Sequence, residues 1–467
     1  MNVLLLNPPA MRLMNPATFE PDLLPPKTWV PLGIAYLASS LRASGHAAEP
    51  YDLHDWEWHD IAELIAHRAP DIVGISCFTF GRANALRVAA LARRVAPNAF
   101  VVMGGPHATL FPEHMLNHPA VDVVVRGQGE ITIVALADCL ARKQDLSTVH
   151  GIAFMRDGRV LYTPPRPIMD NLDGLPFPAY DTFSLAEYKS PEIPREYMDL
   201  TGTHVMTSRG CPFHCHFCSV NRLFNGKWAF RSPENVVDEL ELLRDTRGVR
   251  HVYFSDDLFA LKPARAIAIC KAMLERRLDM VWMAETRVDC VTGEMLRWMR
   301  KAGCYRVYYG VESGSPRILQ SINKGFTVAQ VREAFRLTHA AGLEPCCFLM
   351  VGNPGETVET IDETVQLIRD IQPATAPIMG LTTLLPGTVQ YENARRQGII
   401  GDEYWHSVDP PPVYTGEHDM DDLIYLQLRL AQGVSPEIYE HMRNMGLDEN
   451  YFRLRRMFSG ASRAARH

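Results

Sequence analysis

Two blocks of this chain alternate short apolar runs with amphipathic stretches, and few folds accommodate that pattern. In the first block, runs at 2–7, 48–52, 72–77, 100–104 and 121–126 break at Gly, Pro, Asn or Asp. Amphipathic stretches at 33–43, 82–95 and 130–142 lie between them. Strand and helix periods in alternation predict a parallel, doubly wound sheet. Such a sheet binds ligands beyond the carboxyl ends of its strands. Those ends are the Pro-rich loop 8–31, SCFTFG, GGPHAT at 104–109 and RGQGE at 126–130. One Gly-rich strand end reads as a turn; several together favour a ligand approaching bare backbone.

Residues 151–164 predict a β-hairpin turning at Asp157-Gly158, and LDGLPFPAYD at 172–181 reads as a linker. The alternation resumes from 203 to about 390, with strands predicted at 204–207, 251–255, 281–284, 306–310, 346–351 and 379–384. Ser232-Pro233-Glu234 supplies a helix N-cap, a proline at the first position and an acid in the first turn. Thr327 and Gln330 form a capping box, with a stop expected near Gly342. Six β/α units make a partial or full barrel, whose chemistry sits at the C-terminal strand ends. Beyond 400 a proline run at 410–412 precedes helical patterns, and the tail GASRAARH reads as frayed.

Composition narrows the function classes. The 467 residues are 47% apolar and 22% charged, with a net charge of −7. A mildly acidic chain without Lys/Arg blocks argues against nucleic acid as a partner. No apolar run reaches membrane-spanning length, and MNVLLLNPPA lacks the pattern of a signal peptide, so a cytoplasmic location is expected. Most of the ten cysteines are scattered in apolar segments; only Cys211, Cys215 and Cys218, within SRGCPFHCHFCS, have ligand-like spacing.

Three chemistries compete for those cysteines. A structural zinc site wants four ligands; no second CxxC is present, and His214 and His216 are each adjacent to a ligand cysteine. A redox pair would use Cys215 and Cys218 but leave Cys211 unexplained. A [4Fe-4S] cluster held by three thiolates leaves one iron open for a small molecule. The spacing Cys-x3-Cys-x2-Cys in a loop after the first barrel strand fits that third chemistry best.

With CPFHCHFC in that position, the chain over about residues 1–390 resembles the radical SAM superfamily, in its subclass with an N-terminal B12-binding domain. The resemblance implies an α/β chain with a Rossmann-like B12-binding domain at 1–150, a hairpin and linker at 151–200, a (β/α)6 partial TIM barrel at 201–395 and a small, mostly helical cap at 396–467. It implies Cys211, Cys215 and Cys218 as cluster ligands and Phe217 beside the adenine of S-adenosylmethionine. Asp256 and Asp257 in FSDDLF would serve the methionine amine. Glu312 and Ser313 in GVESGS would serve the ribose or methionine moiety, and Gly352 in VGNPGET would pass its backbone near the adenine. Ser76, Thr79, Gly104, Gly105 and Gly127 would line a cobalamin. The Asp-x-His-x-x-Gly motif of cobalamin ligation is absent; its echo at Asp52-Leu53-His54 reads as a solvated loop.

The activity so implied is reductive cleavage of S-adenosylmethionine to a 5′-deoxyadenosyl radical that takes hydrogen from a small-molecule substrate. An external donor of flavodoxin or ferredoxin type would supply the electron. Cobalamin-assisted methylation is the expected outcome. A dehydration, cyclisation or rearrangement with a vestigial B12 domain, as in aminoglycoside diol dehydration, is the alternative. Methylthiotransferases of tRNA usually add a basic module and a second three-cysteine cluster, neither of which is seen. Tyr308, Tyr309, Glu285 and His204 are expected to point into the barrel.

Overall fold

The computed structural model describes residues 1–11, 24–189, 193–406, 411–444 and 447. Residues 12–23 of loop 8–31, Pro410 and the tail GASRAARH lie outside the described residues. Two sheets dominate. The first contains β1 (Asn2–Asn7), β2 (Ala47–Asp52), β3 (Ile72–Ser76), β4 (Phe100–Gly104), β5 (Val123–Val125), β6 (Ile152–Arg156) and β7 (Arg159–Tyr162), in spatial order 2-1-3-4-5-6-7. β1 to β5 are parallel, and the order reverses between β1 and β3, the switch point where such sheets place ligands. The predicted hairpin is present, with positive φ at Asp157 (52°) and Gly158 (74°), as a tight two-residue turn requires. It is no detached linker: Val123–Val125 pairs antiparallel with Ile152–Phe154, so the hairpin extends the first sheet.

The second sheet follows a six-fold β/α repeat. β8 (Gly202–Val205) is succeeded by two short strands, β9 (Ser208–Arg209) and β10 (Ala229–Phe230). Then come β11 (His251–Phe254), β12 (Val281–Thr286), β13 (Cys304–Glu312), β14 (Glu344–Val351) and β15 (Ile378–Leu381). β8, β11, β12, β13, β14 and β15 run parallel in sequential order as a curled half-barrel. The crossover helices start and stop where their caps dictate. Ser232 Oγ accepts from the Asn235 amide at 3.1 Å to open helix Pro233–Arg247, which ends at Gly248 with φ 65°. Thr327 and Gln330 form the expected reciprocal box at the start of helix Val328–Ala340.

Strand period 2 divides the half-barrel into two faces. Val252, Phe254, Trp282, Val307, Tyr309, Cys347 and Leu349 join the core shared with the helices. Tyr253, Met283, Tyr305, Tyr308, Cys346 and Phe348 form a separate cluster on the opposite, concave face. Trp29, from the loop after β1, enters that cluster, its ring centroid 4.7 Å from Tyr253 and 5.3 Å from His204. The two sheets thus share a core rather than being joined by a free linker. Helix Met420–Val434 packs on helix Val358–Ile371, with Arg429 paired to Asp362. Among the described residues, no helix is long and apolar enough to cross a membrane.

Candidate active site

The three-cysteine segment is an excursion between β9 and β10, whose two-residue antiparallel ladder closes its neck. Gly210 sits in that neck with φ 84°, and a Cβ there would overlap the Lys227 carbonyl oxygen, so only glycine fits. The FSDDLF loop after β11 pins the strand leading in. Asp256 is buried and accepts from the Thr207 amide (2.6 Å), the Thr207 hydroxyl (2.5 Å) and the Ser208 hydroxyl (2.7 Å). Asp257 accepts from the Gly210 amide at 2.8 Å, next to Cys211, and burial pushes its carboxyl up to about 6. Both aspartates therefore hold the loop from behind.

All three thiols are free and half-buried. Around one zinc ion, sulfurs would stand about 4 Å apart. Among the described residues, the only metal-type cluster with ligand atoms within 4.8 Å is His59, Asp60 and Glu63, exposed on a surface helix. Cys211, Cys215 and Cys218 do not form such a group, with or without the neighbouring histidines. His216 is also occupied: its Nδ1 donates to the Ser321 carbonyl at 2.9 Å. Burial pushes the Cys218 thiol up to about 12 and raises Cys211.

Two cations border the loop, and motif reading singled out neither. Lys324 is buried in an ion pair with Glu312 at 2.7 Å, and its ammonium lies 5.4 Å from the Phe217 ring. Glu312 has φ 67°, at a register shift where β13 leaves its ladder. A left-handed glutamate at a strand end is the kind of strain that accumulates at sites. Arg287, just beyond β12, reaches Cys215 Sγ at 3.8 Å. Ser313 and Gly314 turn away toward helix Val358–Ile371: the Ser313 and Thr364 hydroxyls lie 3.2 Å apart, and Gly314 donates to Thr364 Oγ1 at 2.9 Å. Gly352 has φ 89° and lies under Leu423 of helix Met420–Val434. The buried Glu356 carboxylate takes the Gly352 and Asn353 amides at 2.5 and 3.0 Å and so shapes VGNPGET.

At the first sheet, Ser76 pairs in register with Gly104. Gly105 has φ 96°, and a Cβ there would come 2.9 Å from the Cys77 carbonyl. The Thr79 hydroxyl and His107 Nδ1 are 3.3 Å apart. Gly127 has φ 75° with nothing within 4 Å of where a Cβ would stand, leaving the β5 end open. Phe78 and Phe80 in SCFTFG are 58% and 55% exposed, an apolar pair at a strand end. Asp52-Leu53-His54 is not the solvated loop expected. Asp52 is buried and accepts from Asn7 and Tyr188, and His54 Nε2 donates to the Pro25 carbonyl at 2.8 Å.

The C-terminal loops of the two sheets meet. Gly387, in the loop after β15, is flanked by Leu110 from the GGPHAT helix and Arg222 from the turn after Cys218, each within 3.2 Å of a Cβ there. Arg209, entering the cysteine loop, makes a buried 2.7 Å ion pair with Glu130 of RGQGE. Within the half-barrel, Tyr308 and His204 take the concave face, and Glu285 accepts from Tyr253 there. His204 is spent structurally: Nε2 donates to the Val30 carbonyl at 2.6 Å, and burial pushes it down to about 4. Tyr309 was expected inside, but one step along the strand turns it outward onto Phe335 and Thr338.

Known proteins share this organisation. A family model described as the radical SAM superfamily matches residues 205–368, and one described as the B12 binding domain matches residues 25–137. An uncharacterized methyltransferase of Pyrococcus horikoshii is 36% identical over 408 residues, which are 86% of this chain and 87% of that protein. An anaerobic magnesium-protoporphyrin IX monomethyl ester cyclase of Rubrivivax gelatinosus is 31% identical over 74% of this chain and 63% of its own length. The fold matches the radical S-adenosylmethionine methyltransferase TsrM of Kitasatospora setae, solved with cobalamin and a [4Fe-4S] cluster. The TM-score is 0.68 at 20% identity, over 85% of this chain and 78% of that one.

Proposed function

The chain belongs to the radical SAM superfamily and carries a B12-binding domain before its half-barrel, and on that premise we propose that it methylates a carbon of a small-molecule biosynthetic intermediate with the help of cobalamin. The observation carrying this reading is the meeting of the two sets of strand ends around Gly387, Leu110 and Arg222. It brings the turn after the cysteine loop beside the GGPHAT helix of the B12-type domain. When bound, the three groups supply an adenosyl radical, from the cluster and S-adenosylmethionine, and a methyl carrier, from cobalamin.

The residues present fit these groups. Cys211, Cys215 and Cys218 offer three unpaired thiols on one loop, the donor set a cluster with one open iron takes. The Glu312–Lys324 pair offers one charge of each sign to the methionine ammonium and carboxylate, with Phe217 as the adenine platform. Ser313 keeps the Glu312 turn in place, and the Gly352 turn, its amide held by Glu356, would border the adenine. Asp256 and Asp257 act through the loop they hold. On the other side, Ser76, Thr79, Gly104, Gly105 and Gly127 with Phe78 and Phe80 would receive the corrin and its tail. His54 Nε2 and both His107 nitrogens are already engaged in hydrogen bonds. A flavodoxin- or ferredoxin-type donor would supply the electron, in the cytoplasm.

The cyclase relative favours a second reading, radical cyclisation without methyl transfer. One experiment separates the two. After anaerobic reconstitution and hydroxocobalamin loading, the desalted protein should retain about one corrin per chain. Producing extracts fed S-adenosylmethionine with a deuterated methyl group should yield a heavy-methyl product. A colourless protein that still forms an unlabelled product would refute methylation.

A further inference from the structure

Arg287 is a buried cation with every guanidinium nitrogen committed. Nε and Nη2 make a fork on Asp289, both bonds at 2.9 Å, and Nη2 also donates to the Lys324 carbonyl at 2.7 Å. That fixes the plane, and the remaining nitrogen, Nη1, is aimed at Cys215 Sγ, 3.8 Å away. The Phe213 ring closes one face, 3.7 Å from the guanidinium carbon. The side chain is 7% exposed, so water screens its charge little. A stability role alone would need the Asp289 fork, not a donor directed at the middle cysteine of the loop.

We propose that Arg287 sets the reduction potential of the cluster by donating a charge-assisted hydrogen bond to the Cys215 thiolate; this rests on the cluster reading above. One electron from the external donor makes the cluster one charge more negative, with no bond broken and no proton moved. A fixed cation at a ligand sulfur stabilises that reduced form more than the oxidised form. Hydrogen bonds to cluster sulfurs and nearby charge are established controls of such potentials. The Lys324 carbonyl held by Arg287 belongs to the residue whose ammonium pairs with Glu312, so the same guanidinium ties the cluster loop to the cosubstrate rim. Arg287 is a positioning residue by this account, because it acts through Cys215.

The test uses the full chain, reconstituted anaerobically, with potentials read by spectroscopic titration in the absence of S-adenosylmethionine. R287M should bind the parent's amount of iron yet lose about tenfold in the equilibrium constant for reduction, a fall of ~59 mV for a one-electron couple. R287K should fall less. D289N, which removes the counter-charge, should shift the potential upward. Opposite shifts from R287M and D289N are not available to a residue that merely shapes the loop. Full iron with coincident potentials would overturn this inference and leave the cluster reading standing. Loss of iron from all three variants while the parent loads would also overturn it, assigning Arg287 to the loop's shape. A parent chain that binds no iron would overturn the cluster reading itself, and this inference with it.

Discussion

Replacing Glu356 by glutamine should make the protein more stable than its parent above neutral pH and leave it unchanged in acid. Glu356 sits in VGNPGET with Oε2 receiving the Gly352 and Asn353 amides, while Oε1 is buried without a partner. The two amides favour the ionised form, but burial outweighs them and pushes the carboxyl from 4.5 up to about 7. A raised acid binds its proton more tightly when folded. Its contribution is therefore complete below pH 4.5 and is lost as pH climbs through 7. At 1.36 kcal/mol per pH unit, the interval from 4.5 to about 7 corresponds to a loss of about 3 kcal/mol. Glutamine keeps an oxygen for both amides and carries no charge at any pH. Thermal unfolding across pH 5 to 8.5 should show the parent falling away from E356Q by about 3 °C at the alkaline end. Parallel pH profiles for the two proteins would refute the argument.

Other perturbations follow from the same contacts. Glu130→Ala strands the buried Arg209 charge between the two sheets and should cost about 3–5 kcal/mol, read as a lower unfolding temperature; an unchanged temperature would contradict the pairing. Asp256→Ala removes a charged acceptor shared by three donors, each such bond being worth about 1.5–3 kcal/mol. Iron per chain should fall although all three cysteines remain, and full occupancy would show that the loop holds itself. Gly105→Ala puts a Cβ 2.9 Å from the Cys77 carbonyl at φ 96° and should destabilise by more than about 1 kcal/mol in chemical denaturation.

The strand and helix order was legible because period and punctuation agree along the chain. The strands predicted at 2–7 and 100–104 coincide with β1 and β4, and the Ser232 and Thr327 caps form as read. The far end of β13 was not legible. It runs to Glu312 through a register shift and a left-handed residue, which no apolar pattern encodes. The cysteine motif was legible as a local spacing. Its surroundings were not, since Arg287 comes to Cys215 from 72 positions away and Lys324 comes from the turn between helices Pro316–Ser321 and Val328–Ala340. Arg287, taken alone among residues 285–289, looks like any solvated charge until β12 and β13 are paired. Tyr308 and Tyr309 show the limit most sharply: adjacent and alike in composition, they face opposite sides of one strand. The hairpin at 152–162 was legible in shape, but its pairing with β5 was not, because joining a sheet edge depends on the partner strand rather than on its own sequence.

The central claim is that three thiolates in the loop between β9 and β10 hold a cluster that cleaves S-adenosylmethionine. Anaerobic reconstitution of the parent and of Cys215→Ala, followed by reductant and S-adenosylmethionine, tests it through two numbers: iron per chain and 5′-deoxyadenosine released. The account predicts about four irons and sustained release for the parent, and neither for the variant. Deoxyadenosine release by Cys215→Ala at the parent's rate would contradict it.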